Sequence, residues 1–256
     1  MVEMKEVTVT DPANRLIVLL SRGLSVAPHE SYLILWQKAF GLPNQDIVEI
    51  HHRLDLLRDL IDEVERGIMQ ITDINHAVYL KPLPPLRQII SRVNLSEGWG
   101  SSKPILEMAI NGLEFCSERL LANNPETIIK QQELDEIRKQ VDDLITQLKS
   151  SETIPRKLRF VLFDLLGAVR RSIDEYLFRG TRGLRKELFV ISAQLQENWN
   201  LIAEEKDKEE VNSFFKILSK IDRATAAALK VKQLLGDVAP YVPLLIQSAS
   251  EHLGKL

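Results

Sequence analysis

Apolar residues recur at intervals of three and four positions along most of this 256-residue chain. This spacing places the apolar side chains on one face of an α-helix, whereas strict alternation would indicate a β-strand. The longest runs extend from Ile47 to Ile68, from Ile129 to Leu148 and from Leu158 to Trp199. The pattern predicts an all-α fold, a multi-helix bundle with long antiparallel helices in the C-terminal half.

Proline and its neighbours mark where helices begin. Asp11 precedes a proline, which is typical of a helix start, and Asn124 also precedes a proline. Pro28 is predicted to open the second helix, and the third is predicted to start near Asn44. Glu6 to Thr10 alternates like a short strand, but no partner strand is evident in the sequence. We therefore predict a loose N-terminal arm over residues 1–10, an N-terminal helical domain over 11–122 and a C-terminal long-helix bundle over 123–256.

The apolar pattern continues in phase through Gly180 and Gly183. Continuity predicts a single helix of about 50 residues over 154–205, about 75 Å long. The alternative is a hairpin that turns at the glycines, because each glycine costs a helix about 1 kcal/mol relative to alanine. The sequence slightly favours the single helix.

Composition narrows the class of protein. The 33 basic and 36 acidic residues give a net charge of 33 − 36 = −3, so no global charge favours wrapping nucleic acid. Cys116 is the single cysteine, which excludes an intrachain disulfide and multi-cysteine metal sites and favours a reducing, cytoplasmic location. We expect no metal and no cofactor. The start of the chain lacks the apolar stretch of a signal peptide, and we do not expect membrane association.

Charge is nevertheless uneven along the chain. Residues 155–190 hold nine Lys or Arg against four acidic residues, and residues 44–75 hold eight acidic residues against three Arg. The basic stretch would suit a nucleic-acid backbone, or it is the solvated face of a helix. The two stretches would also attract each other, either between copies or within one molecule. The candidate binding residues are Arg170, Arg171, Arg179, Arg182, Arg185 and Lys186.

Histidines provide the catalytic candidates. Arg22 and His29 resemble the Arg-x-His pattern of the helical ribonucleases called HEPN domains. That resemblance implies two residues on one helix acting on an RNA 2′-hydroxyl, although Gly23 and Pro28 separate them here. His51 and Asp55 are four residues apart, a spacing that places both on one face of a helix and suits a general base or a solvent-facing surface.

The C-terminal segment is unusually low in charge. Residues 238–250 hold no Lys, Arg, Asp or Glu, but contain two prolines and are shorter than the roughly 20 residues of a membrane span. Such a segment suits burial in the bundle, an oligomer interface or shallow insertion at a membrane surface. Burial is the interpretation that the pattern favours.

Residues 154–189 carry a longer resemblance. Ile154-Pro155-x-x-Leu158-Arg159, the later Arg170-Arg171-Ser172-Ile173, and Arg179-Gly180-x-x-Gly183-Leu184-Arg185 resemble uncharacterised bacterial helical proteins of mobile-element and phage-defence loci. The resemblance implies a bacterial cytoplasmic protein that acts with a partner. It implies no catalytic residue.

Two functional hypotheses follow. The first is a non-enzymatic helical scaffold that oligomerises or binds a partner protein, which the regular helix pattern favours. The alternative is a toxic effector, either a HEPN-like ribonuclease or a helical protein that disrupts membranes through its C-terminal segment.

Overall fold

A computed structural model describes residues Val9–Ala226, and the chain divides into two compact units, Met1–Glu126 and Thr127–Leu256. Helices dominate the described part of both units, which confirms the predicted all-α fold. The first unit contains α1 (Pro12–Leu24), α2 (Tyr32–Phe40), α3 (Ile47–Met69), α4 (His76–Tyr79), α5 (Leu83–Ile90) and α6 (Lys103–Asn123). The second contains α7 (Gln131–Ser150), α8 (Arg156–Asp174), α9 (Tyr176–Glu197), α10 (Trp199–Ala203) and α11 (Glu209–Ala226).

The first unit is organised around α1, which packs against α2, α3 and α6. Asp11 caps this helix, because its carboxylate accepts hydrogen bonds from the backbone N–H groups of Ala13 and Asn14. Three leucines of α1 are almost completely buried against these neighbours: Leu16, Leu19 and Leu20. The proline and capping pattern therefore places the start of α1 where the sequence analysis expected it.

The helix expected to start at Pro28 begins instead at Tyr32, with Ser31 as its N-cap. The preceding backbone is engaged elsewhere, since the Glu30 carbonyl accepts a hydrogen bond from Trp99 N–H. Tyr32 N–H in turn donates to the Glu97 carbonyl. These bonds tie residues 30–32 to the loop before α6, so Pro28 cannot open the helix.

The structure revises both boundaries of the first unit. Val9–Thr10 forms a two-residue strand (β1) that pairs with Glu126–Thr127 (β2), so the end of the predicted loose arm has a strand partner. Thr10 is accordingly buried. The division between the units follows Glu126 rather than Ala122. Residues 1–8 lie outside the described part of the chain.

Up to Ala226, where the described residues end, the second unit is a bundle of four long helices, α7, α8, α9 and α11. Antiparallel packing of α7 and α8 follows from two ion pairs in register, Arg138–Asp174 at 3.2 Å and Arg170–Asp142 at 3.1 Å. Ser151, after α7, donates a hydrogen bond to Glu210 at the start of α11, so α11 also runs antiparallel to α7. The long apolar side chains of these helices form one continuous core.

The predicted single helix over 154–205 is wrong, and the hairpin alternative is closer to the structure. α8 ends at Asp174, α9 begins at Tyr176, and the two helices pack against each other. Gly180 adds a second break inside α9, with φ 61° and ψ −167°. The three-and-four spacing of apolar residues continues across the turn because α8 and α9 each bury one face in the same core. The chain therefore turns just before the glycines.

The apolar C-terminal segment, residues 238–250, lies outside the described residues, which end at Ala226. Between Val9 and Ala226, no helix combines the length and the apolar character needed to cross a bilayer.

Candidate functional site

Most predicted binding residues lie at the α8–α9 end of the second unit, but several are engaged within the bundle. Arg170 pairs with Asp142 on α7, and Arg179 pairs with Glu175 at 2.5 Å. The Arg185 guanidinium donates to the Thr225 carbonyl on α11. Arg170 and Arg185 therefore join different helices of the bundle, whereas Arg179 pairs with the N-cap residue of its own helix. All three are engaged within the second unit and not free for a nucleic acid.

Other basic residues point outward. Arg171 and Lys186 are exposed, and neither side chain has an ion pair or hydrogen bond among the described residues. Arg182 is exposed as well. The basic surface available to a ligand is therefore smaller than the linear count of charges suggests.

Aromatic and apolar side chains accompany these charges on the outside of α8 and α9. Phe160 is 58% exposed and lies half a turn away from buried Leu158 and Leu162. Arg171 follows Phe160 by three helical turns, which places both on the same outer side of α8. The Arg156 guanidinium lies 5.5 Å from the centre of the Phe160 ring, a cation–π contact.

The outside of α9 repeats this combination. Phe189 and Val190 are 55% and 44% exposed and lie one turn after Lys186. We call these exposed residues of the two packed helices the α8–α9 outer face: Phe160, Arg171, Lys186, Phe189 and Val190. Its cations were predicted from the sequence but its apolar members were not, because the prediction of one continuous helix did not show which residues face outward.

A depression of about 290 Å³ lies between α7 and α11. Glu133, Glu136, Lys220 and Arg223 line it, so equal numbers of positive and negative groups meet there. The balance gives the depression no preference for an anionic or a cationic ligand.

The catalytic candidates do not converge. Arg22 lies in the last turn of α1, whereas His29 lies in the loop that follows, with its side chain 82% exposed. The one-helix arrangement that the HEPN resemblance implies is therefore not present. His51 and Asp55 are exposed on α3, and Asp55 forms an ion pair with Arg58.

Metal ligands are equally dispersed in the part of the chain that the structure describes. No three His, Cys, Asp or Glu side chains between Val9 and Ala226 are grouped so that they could hold a metal ion.

The acidic stretch is compensated within the first unit. Glu49 pairs with Arg53, and Asp62 and Glu65 both pair with Arg87. The charge pattern of the sequence is compatible with pairing of these carboxylates to a second copy or to their own chain. In the structure, each of these three carboxylates meets an arginine of its own unit.

A buried polar cluster underlies α1 and was not identified from the sequence. Arg15 is only 4% exposed and contacts the carboxylates of Glu63 at 3.0 Å and Glu126 at 3.6 Å. Asp11 is fully buried and accepts a 2.5 Å hydrogen bond from the Ser117 hydroxyl. Burial raises the pKa of Asp11, while the hydrogen bonds from Ser117, Asn14 and Ala13 oppose that rise. The cluster joins α1 to α3, α6 and the end of the unit.

Cys116 lies beside this cluster and is completely buried. Its thiol donates to the Tyr79 carbonyl at 3.1 Å. Burial raises the pKa of the Cys116 thiol to about 11, and the negative charge of Asp11 adds to the effect. The thiol is thus protonated near neutral pH and shielded from reagents.

We expect Cys116 to react with a maleimide only when the first unit opens. Labelling of the native chain should be slow at neutral pH and should accelerate in urea in step with the loss of helical circular dichroism. Because the chain has a single cysteine, mass spectrometry gives this rate directly. Complete labelling within the dead time in native buffer would contradict the buried position.

Comparisons with known proteins give no identification: no protein-family model, no curated protein and no solved structure matches this chain.

Proposed function

We propose that this chain is a non-enzymatic helical scaffold that oligomerises or binds a partner protein. The observation that carries the proposal is the α8–α9 outer face, where Phe160 and Phe189 are each more than half exposed. Aromatic residues and arginine are enriched at protein interfaces, and exposed apolar clusters mark interaction sites. The buried sides of α8 and α9 share one apolar core with α7 and α11.

The placement of the ionisable groups also supports a structural role. Arg15, Arg87 and Arg170 all join elements of the fold through ion pairs. His29 and His51 are solvent-exposed and lie on different elements, without the mutual contacts of a catalytic pair.

The chemistry of the outer face defines the partner. Phe160, Phe189 and Val190 would bury apolar groups, while Arg171 and Lys186 would contact carboxylates at the rim. A protein surface that is apolar in its centre and acidic at its edge fits this arrangement. The resemblance of residues 154–189 to proteins of phage-defence loci supports a role as a bacterial defence component, and the single cysteine favours the cytoplasm.

Size-exclusion chromatography with light scattering, at low and high salt, tests self-association. We expect a protein-only peak above 29.2 kDa whose mass changes little with salt. The reason is that the acidic groups on α3 that would attract a second copy already pair with arginines of their own unit.

Absorbance at 260 and 280 nm on the same peak separates the alternatives. Nucleic acid that co-elutes at low salt and is removed at high salt would contradict the proposal and make Arg171 and Lys186 part of a backbone-binding surface. A nucleic-acid-free monomer at both salt concentrations would remove self-association from the proposal.

A further inference from the structure

One side of α9 is exposed over two helical turns. The residues that α9 buries in the core lie on the opposite side: Leu184, Ile191 and Leu195. We call the exposed residues the α9 strip: Lys186, Phe189, Val190 and Ala193. The strip has a cation at its N-terminal end, followed by apolar side chains.

The described part of the chain ends close to the α9 strip. The Arg185 guanidinium donates a hydrogen bond to the Thr225 carbonyl, which joins the end of α11 to α9. Arg185 directly precedes Lys186, and Val190 lies only about 8 Å further along the helix. The chain therefore continues past Ala226 from a point near the cation of the strip.

The residues that follow include a segment of complementary chemistry. The apolar C-terminal segment, residues 238–250, holds no Lys, Arg, Asp or Glu, and Asp237 and Glu251 flank it directly. It is thus apolar in its centre and acidic at its edges, which is the pattern that the α8–α9 outer face requires of a partner.

The connection is long enough to bring the segment onto the strip. Val238 comes twelve positions after Ala226, and this stretch spans at most about 40 Å when extended. The α9 strip is only about 11 Å long. The whole strip therefore lies within reach of the segment.

We propose that the apolar C-terminal segment docks on the α9 strip of its own chain. The apolar side chains of the segment cover Phe189 and Val190, and Asp237 contacts Lys186 at the end of the strip nearest to Thr225.

The covalent connection favours docking within one chain over docking by a second copy. A connection of about a dozen residues holds two surfaces together at an effective concentration in the millimolar range. Phe189 and Val190 offer only a small apolar area, so their contact with a segment that is not connected to them would be weak. Docking is well populated because segment and strip belong to the same chain.

Docking regulates the surface to which the proposed function assigns partner binding. A partner or a second copy must displace the segment before it can contact Phe189 and Val190. The affinity of the outer face is then reduced in proportion to the fraction of chains in which the segment is released. The inference therefore rests on the proposed function and adds an autoinhibitory contact to it.

Cysteine labelling of the full chain tests whether the segment covers the strip. In a Cys116→Ala background, Ala193→Cys places a thiol in the α9 strip, and its reaction with a maleimide is compared with and without Leu244→Asp and Leu245→Asp. We expect labelling about ten-fold faster with these two substitutions, as for a segment that is otherwise released in about one chain in ten.

Gln147→Cys in the same background is the matched control. Gln147 is exposed on α7 and lies outside the α9 strip. Its labelling rate should be the same with and without Leu244→Asp and Leu245→Asp.

Charge reversal gives a second test that leaves the apolar segment unchanged. Lys186 is exposed, so Lys186→Glu should fold, and it should accelerate the labelling of Ala193→Cys because two acidic groups then meet. Adding Asp237→Lys should restore the protection, since the pair again has opposite charges. Protection that is unaffected by Lys186→Glu would overturn the assigned contact.

Cross-linking shows which copy supplies the segment. A chain with Cys116→Ala, Ala193→Cys and Ser248→Cys should react with a short bismaleimide to give an internal cross-link at every protein concentration. Mass spectrometry distinguishes this product from a linked pair of chains. Products that mainly join two chains would overturn docking within one chain and assign the segment to a second copy.

The outcomes also separate this inference from the proposed function. Equal labelling of Ala193→Cys with and without Leu244→Asp and Leu245→Asp would overturn docking and leave the outer face open to a partner. Loss of helical circular dichroism on introducing these two substitutions would also overturn it, because the segment would then belong to the core. A protected strip in a chain that stays monomeric even with both substitutions would support docking and contradict self-association.

Discussion

Replacing Arg15 by leucine is expected to destabilise the first unit by about 3–5 kcal/mol, the cost of removing one partner from a buried ion pair. Arg15 is buried and contacts Glu63 and Glu126. Glu126 is only 5% exposed, so its carboxylate would lose a cation without gaining full access to water. Urea unfolding of the full chain, monitored by the labelling of Cys116, would measure the lost stability of the first unit, because this unit contains both Arg15 and Cys116.

Arg22→Leu is the matched control, because Arg22 belongs to the same helix but is exposed. Its effect should stay within about 0.5 kcal/mol, as for most surface substitutions. The double variant Arg15→Leu with Glu126→Leu should recover much of the loss, since it removes both buried charges. Equal stability of Arg15→Leu and Arg22→Leu would show that the buried cluster contributes little to the fold.

Gly180→Ala is expected to destabilise the second unit by about 1–3 kcal/mol, the cost of holding an L-residue in a backbone region that essentially only glycine occupies. The position has φ 61° and ψ −167° inside α9, and Gly180 itself is buried. The adjacent Thr181 hydroxyl donates to the Thr127 carbonyl and lies 3.2 Å from the Tyr176 hydroxyl. A shift of the backbone at Gly180 would therefore also disturb the anchoring of the segment before α7.

Gly167→Ala is the control, because we expect it to change the stability of the second unit in the opposite direction. Gly167 lies inside α8, where an added Cβ would meet only a guanidinium nitrogen of Arg171 at 3.8 Å. Alanine should therefore stabilise the helix by about 0.5–1 kcal/mol. Thermal unfolding of both variants gives the comparison, and an equal gain for Gly180→Ala would contradict the strained backbone at that position.

Several helices begin where local capping chemistry predicts, although Asn124 before Pro125 follows the end of α6 and α7 begins only at Gln131. Asp11 before Pro12 specified the start of α1, and Asp46 caps α3 a short distance from the start expected near Asn44. Capping is decided by residues within one turn of each other, so it can be read from a short stretch of sequence. Pro28 failed as a helix start because its neighbours bond to residues distant in the chain.

Which charged side chains are exposed on the candidate surface depends on contacts between residues that are far apart in the sequence. Arg170 and Arg171 are adjacent and identical in type, yet one pairs with Asp142 on α7 and the other faces solvent. A linear count of charge treats them alike. Which arginine remains available to a partner is decided by the angle at which α8 packs on α7.

The sequence by itself determined that the chain is helical, where most helices begin and which residues form the core, because these follow from propensity, capping and an apolar period of 3.6 residues. Tertiary structure decided where the chain reverses. The same apolar phase fits one long helix or two packed helices, and only the packing of α8 against α9 distinguishes them. The tertiary structure also decided that Arg15 is buried with Glu63 and Glu126, because these three residues are far apart in the sequence and meet only in the folded unit.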